Sequence, residues 1–190
     1  MIDYHCNFFL LSSLDFSDFD RIINIYTDNF GKKVIRLKGA YKPQSKLNSH
    51  MQFFSLIEAD IASGKNYDYI CNVYLFKRFN LENNFKKNIC FSFAVEVLNS
   101  LTFFDLKETS LYNLVVSYFE FIDNLELDNE VFIDFKKDKE LIEFINLFFI
   151  KLTEILGFSK NKKIYLNKED FFKNVSSYTE NNIIVNKFFK

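Results

Sequence analysis

The chain has no tryptophan, one proline (Pro43), four glycines, two histidines and three cysteines in 190 residues. Cys6, Cys71 and Cys90 are odd in number and far apart, the pattern of reduced thiols in a cytosol rather than a disulfide framework. No CxxC spacing is present, so neither a structural zinc site nor any other metal is expected. The run Phe8-Phe9-Leu10-Leu11 is too short for a secretion signal and follows Asp3 instead of a basic cluster. No stretch approaches the roughly 18 apolar residues of a membrane span. Neither GxxxxGK[ST] nor GxGxxG occurs. His5 and Cys6 are neighbours whose side chains diverge in a strand, so they cannot form a nucleophile–base pair with each other. His50 lies in a polar loop, and Glu140/Glu143 and Asp134/Asp138 read as solvated helix faces. These absences give the expectation of a cytoplasmic protein that is not an enzyme and uses no cofactor.

The chain is 48% hydrophobic, with 26 phenylalanines and 10 tyrosines. That is ample for a packed core, and disorder is not expected over most of the length. The abundance of Phe, Lys, Asn and Ile fits the base composition of an AT-rich genome, so counting phenylalanines is poor support for base-stacking platforms.

Charge is more informative. The formal net charge is -1, yet Gly31 to Lys46 (GKKVIRLKGAYKPQSK) carries Lys32, Lys33, Arg36, Lys38, Lys42 and Lys46 with no acid. In a strand, successive side chains point to opposite faces. Lys32, Arg36 and Lys38 would then share one face while Ile35 and Leu37 pack inward, and Lys42-Pro43-Gln44-Ser45-Lys46 would follow as a basic loop. The stripe suits a polyanion, or equally a solvated strand face that keeps an edge soluble.

The first 80 residues read as five short strands. They are His5–Leu11, Arg21–Thr27, the basic strand ending at Gly39, Met51–Ala62 (with Met51, Phe53, Ile57, Ala59 and Ile61 on one parity) and Tyr67–Tyr74 (with Tyr67, Tyr69, Cys71 and Val73 alternating). Asp15-Phe16-Ser17-Asp18 is a turn-prone connection. Five strands at this spacing with a basic face predict a small barrel of OB-fold type.

Beyond Asn80 the period changes. Leu111, Leu114, Val115, Tyr118, Phe119 and Ile122 form a helical stripe, with Asp105 and Glu108 as a capping-box-like start. Leu141 to Leu156 form a second, with Ile142, Leu147, Phe149 and Ile150 on its other side and Gly157 as terminator. Cys90 to Leu101 fits a helix, but Phe91, Phe93, Val95 and Val97 also alternate as a strand would. One or two short helices are expected between Asn161 and Lys190. The fold class is therefore α+β: an N-terminal five-stranded OB-fold barrel over residues 1–79, then an α-helical domain over residues 80–190. Residues 1–80 carry 10 Lys+Arg and 8 Asp+Glu, net +2; the remainder carries 14 and 17, net -3. The junction is basic and not rich in Gly or Pro, as packed domains without a flexible tether would have it.

Asp20-Arg21-Ile22-Ile23-Asn24-Ile25-Tyr26-Thr27, Phe30-Gly31, Lys38-Gly39-Ala40, Pro43, Ser45-Lys46 and Gln52-Phe53-Phe54, in that order, resemble the bacterial recombination mediator family RecO. The likeness covers about residues 15–62. Glu96-Val97-Leu98, Leu111–Ile122 and Ile155-Leu156-Gly157-Phe158 match the family's helices more loosely. The resemblance implies a non-enzymatic protein that binds single- and double-stranded DNA and anneals complementary strands. It also implies that, with RecR, the protein helps RecA displace single-strand-binding protein, and hence that it is nucleoid-associated. Relatives often carry a four-cysteine zinc module after the long helix; Ser159–Asn167 has no cysteine, so that module is expected to be absent. The chain is short for the family, Tyr41 and Gln44 stand where basic residues are common, and Phe53 replaces a proline.

Lys32, Arg36 and Lys38 are thus candidates for a cationic groove, Lys42 and Lys46 for an arm over the backbone, and Tyr41 for either base stacking or simple packing. Arg21 is either structural or a DNA contact, and Asp20 a turn-closing acceptor. Four of these cations on phosphates would give log K against log salt a slope near about −3. Two other classes stay open. One is an adaptor for RecR or the acidic tail of single-strand-binding protein, with Lys77, Arg78, Lys86, Lys87 and Lys160-Lys162-Lys163 around an apolar pocket. The other is an RNA-binding OB protein.

Overall fold

The computed structural model describes residues 2–45, 47–80, 84–127 and 138–157. Lys46, the Lys160-Lys162-Lys163 cluster, the cysteine-free Ser159–Asn167 stretch and the expected C-terminal helices lie outside the described residues. The chain forms two compact units. One is Met1–Phe79 with Thr102–Tyr112; the other takes Asn80–Leu101 and the chain from Asn113.

In the first unit, β1 (Tyr4–Asp15), β2 (Arg21–Thr27), β3 (Gly31–Leu37), β4 (Ser55–Ala62) and β5 (Asp68–Arg78) close into a barrel in the order β1-β2-β3-β5-β4. A one-turn helix, α1 (Leu47–His50), precedes β4. β1 pairs antiparallel with both β2 and β4. The parallel contact of Ile35 with Asp68 and Arg36 with Tyr69 joins β3 to β5. This is the OB-fold arrangement that the strand spacing and basic strand predicted. Alternation builds the interior: Cys6, Phe8, Leu10, Ile23, Ile25, Ile35, Leu37, Ile57, Ala59 and Ile61 are all buried there. β-branched residues dominate because a branched Cβ packs well on a pleated surface.

Three strand expectations need correction. β1 runs on to Asp15, because Ser13, Leu14 and Asp15 find partners in Ile23, Ile22 and Arg21. β4 starts at Ser55, four residues later than read; Phe54 has φ +59, which a continuing strand cannot accommodate, and Phe53 is exposed instead of sharing the inward parity. β5 extends to Arg78, and its alternation breaks at Cys71. Asp60 faces Asn72 while Ile61 faces Ile70, so Cys71 is an extra, bulged residue. Ile70 and Val73, three apart, therefore both pack on the core.

The same unit contains a segment that returns after the first long helix. Phe104 bridges Lys32 in parallel, and the Asp105 N–H donates to the Lys32 carbonyl at 3.0 Å. Asp105 has φ +59, and the next helix begins only at Thr109. The capping-box reading of Asp105 and Glu108 is thereby replaced: the Asp105 carboxylate meets Lys33 Nζ at 2.5 Å.

The second unit holds α2 (Phe85–Leu101), α4 (Lys139–Ile155) and, from Asn113 on, α3 (Thr109–Asn124). α2 resolves the ambiguous segment as helix. Phe91, Phe93, Val95 and Val97 are buried along with Cys90, Ala94, Leu98 and Leu101. A helix apolar on nearly every side satisfies both periods, which is why alternation misleads there. Phe91 stacks on Phe119 with ring centres 4.2 Å apart, and Tyr118 meets Phe148 in a tilted contact at 4.5 Å. Asp138 caps α4 by accepting the Leu141 N–H at 3.0 Å, and Gly157 ends it at φ +74. On the other side of α4, Phe149 is fully buried, Ile142 and Ile150 are half-buried and Leu147 is exposed, so the helix is covered on several sides though not on all. None of the described helices is long and apolar enough to cross a membrane.

Gly31 joins β3 to the returning segment. Its φ is +68, and an added Cβ would lie 2.0 Å from the Leu106 carbonyl oxygen. Gly31→Ala is expected to cost about 2 kcal/mol or more, backbone strain plus the clash, and to lower the urea midpoint. Gly157→Ala, with nothing within 4 Å of the added carbon, should cost only about 1 kcal/mol.

Candidate nucleic-acid interface

The basic strand keeps Ile35 and Leu37 inward but ends at Leu37, two residues before the expected Gly39, so Lys38 lies in the following turn and the cations do not form a solvated row along the strand. Ile35 and Leu37 are fully buried in the barrel. Lys32 is itself 6% exposed, its ammonium 4.7 Å from the centre of the Phe104 ring, and burial draws its pKa down. Lys33 is held by Asp105. The returning segment thus takes up both cations at the start of β3.

At the other end of the strand the organising group is Asp20, a nearly buried carboxylate. One of its oxygens accepts from Arg36 Nε at 2.9 Å and from Arg36 Nη2. The other accepts the Gly39 N–H at 2.7 Å. The Gly39 N–H and, next, the guanidinium favour the ionised form, so the Asp20 carboxyl titrates below the usual range. The same contact holds the Arg36 pKa up. The expected turn-closing role of Asp20 becomes a larger one: it ties the entry of β2 to the exit of β3 and to the loop at Gly39, whose φ is +69.

Around this anchor several aromatic rings and cations meet. The Arg36 guanidinium lies 4.9 Å over the Phe16 ring, and Phe16 meets Tyr67 edge-on at 6.0 Å. Arg21 lies 5.6 Å over the Tyr41 ring and donates to the Ser13 hydroxyl. The Tyr41 hydroxyl donates to Asp15, which raises its pKa. The Phe19 carbonyl accepts the Tyr41 N–H at 3.1 Å, joining the β1–β2 and β3–α1 loops. Lys38 and Lys42 are exposed. Leu14, Phe16, Phe19 and Tyr41 are 69%, 47%, 51% and 42% exposed. The cluster therefore brings Arg21, Arg36, Lys38, Tyr41 and Lys42 together, and leaves Lys32 apart beneath Phe104.

Phe16, Phe19 and Tyr67 are members of this cluster that sequence reasoning passed over. The available signal was two phenylalanines inside the acidic turn stretch Asp15–Asp20, where no core position calls for them. The loops and strand ends that meet here carry nearly balanced charge, Arg21, Arg36, Lys38 and Lys42 against Asp15, Asp18 and Asp20.

Other candidates are accounted for structurally. Lys86 pairs with Asp138 at 2.9 Å, and Lys87 Nζ donates to the Asp123 carbonyl at 2.6 Å, so both serve the helical packing. Asp138 is accordingly a cap and ion-pair partner, not part of a solvated face. Burial pushes the Cys6 and Cys90 thiols up to about 12, away from the thiolate a nucleophile needs. Among the described residues no group of three or more His, Cys, Asp or Glu could hold a metal ion.

His5 bridges two strand-borne acids, Nδ1 to Asp60 at 2.8 Å and Nε2 to Glu58 at 2.9 Å. The Asp60 contact chiefly raises its pKa above 6.5. A raised histidine contributes stability that is fully present below about pH 6.5 and is lost as pH rises through the folded-state value. Urea midpoints measured from about pH 5.5 to about pH 8.5 should therefore fall more for the wild type than for His5→Gln.

The sequence model of the family described as Recombination protein O N terminal matches residues 1–79, the barrel. A DNA repair protein RecO from Caldanaerobacter subterraneus subsp. tengcongensis is 28% identical over 125 residues, 65% of this chain and 51% of that protein. A DNA repair protein RecO from a Thermoanaerobacter species is 25% identical over 140 residues, 73% of this chain and 52% of that protein. The chain thus spans about half the length of these curated relatives.

Proposed function

We propose that the chain is a RecO-type, non-enzymatic recombination mediator, on the match of its barrel to that family's N-terminal model and its likeness to the two repair proteins. In this reading it binds single- and double-stranded DNA, anneals complementary strands, and with RecR helps RecA load onto strands coated by single-strand-binding protein. The observation that carries it is the Asp20-anchored end of the barrel, where Lys38, Tyr41 and Lys42 are all exposed on the loop that the Asp20 carboxylate holds at Gly39. Annealing requires no catalytic group. Screening the repulsion between two phosphate backbones while leaving base edges readable is sufficient, and sequence-independent contacts do that.

The geometry changes the expected strength. Lys32, Lys33 and Arg36 already have intramolecular partners. With Lys38 and Lys42, the two exposed cations among the described residues of 31–46, on phosphates instead of four, log K should fall with log salt at a slope of only about −1.4 for a single strand. Fluorescence anisotropy of a labelled oligonucleotide across a salt series measures this. Lys38→Glu with Lys42→Glu should weaken binding roughly tenfold or more at low salt, and should slow annealing of complementary oligonucleotides in parallel.

The near balance of charge favours one second reading, an adaptor that docks RecR or the acidic, aromatic-ended tail of single-strand-binding protein. Binding of either partner without any binding of DNA would select it. The engagement of Lys86 and Lys87 within the helical unit removes two cations from the rim such a tail pocket needs.

A further inference from the structure

The cluster around Asp20 has more exposed aromatic surface than its few solvated cations explain. A solvated basic surface calls for no phenylalanines. Yet the short loop between β1 and β2 spends two of its residues on Phe16 and Phe19, each about half exposed, at 47% and 51%. The loop is not loose. The Phe16 and Ser17 N–H groups donate to the Asp20 carbonyl at 2.9 and 3.3 Å, and the Asp20 N–H donates back to Ser17 at 3.3 Å. The Tyr41 N–H fastens Phe19 from the neighbouring loop. Phe16 is braced between the Arg36 guanidinium and the Tyr67 ring. The loop backbone is thus closed on itself and Phe16 is braced, while both rings stay about half exposed and neither belongs to the barrel core.

We propose that Phe16 and Phe19 form a stacking platform for unpaired nucleobases, with Lys38 and Lys42 taking the adjoining phosphates. This rests on the nucleic-acid reading above and specifies its ligand as single-stranded. Every base offers a π-face, so a platform of this kind is tolerant of sequence. Paired bases in a duplex present no such face to a surface loop, so duplex must rely on the two lysines alone. Rigid, pre-positioned rings also lose little freedom on binding, which suits a site of low net charge.

The natural chain has no tryptophan, so Phe19→Trp gives a fluorophore whose signal reports this site alone. Titration with oligo(dT) should quench that emission, whereas a strand of equal length made of abasic sugar-phosphate should bind more weakly and leave it unquenched. Phe19→Ala should weaken oligo(dT) binding roughly 5- to 100-fold with the salt slope and duplex affinity unchanged. Lys38→Glu with Lys42→Glu should instead reduce the slope. Phe19 has no side-chain role in the core, and circular dichroism of each variant checks that the barrel stays folded. Equal affinity for abasic and base-bearing strands, or oligo(dT) binding untouched by Phe19→Ala, would overturn the platform while leaving DNA binding intact. No binding of any strand by the wild type would overturn the nucleic-acid reading itself.

Discussion

A single carboxylate holds the functional end of the barrel together. Asp20 divides its two oxygens between the Arg36 guanidinium and the Gly39 N–H. It thereby joins the residues just before β2 to those at and beyond the end of β3. Because the group is nearly buried, its charge must be matched locally, and the guanidinium and the amide supply that match. Removing either partner would leave a desolvated acceptor, which is costlier than never having built the pair. The cost of desolving this acid is offset only if the loop at Gly39 keeps its left-handed turn, so charge, backbone conformation and loop position are coupled.

The coupling explains how a weakly charged surface can still be organised for a polyanion. Arg36 is immobilised by Asp20 and lies over Phe16; Arg21 lies over Tyr41. Each guanidinium spreads its charge over a ring, and each ring is fixed by the cation above it. At the opposite end of β3, Lys32 is covered by Phe104 and Lys33 is paired with Asp105. The basic strand thus serves two purposes. Its beginning fastens the returning segment, and its end frames an aromatic cluster. Arranged this way, the exposed part acts through ring surface with modest electrostatic help.

Gly31 shows the same economy in the backbone. It lets the strand start at positive φ and leaves room for the Leu106 carbonyl. No side chain could take its place without moving the returning segment, and Lys32, next to it, would lose the cover that makes its burial tolerable.

Much of this was legible in the residues alone. The inward positions of β2, β3 and β4 follow from period-two alternation, because a strand has only two faces and water selects which is apolar. Helices α3 and α4 follow from the 3.6-residue period for the same reason. The six cations of 31–46 announced an electrostatic feature. What they could not announce was which cations remain for a ligand, since that depends on Asp20 sixteen residues before Arg36 and on Asp105 far beyond Lys33. The Cys71 bulge, the return of 102–106 beside β3 and the outward placement of Phe16 and Phe19 are likewise set by pairing partners distant in the chain. Local pattern decides what a residue prefers to face. Only the closed barrel decides which neighbour is there when it turns.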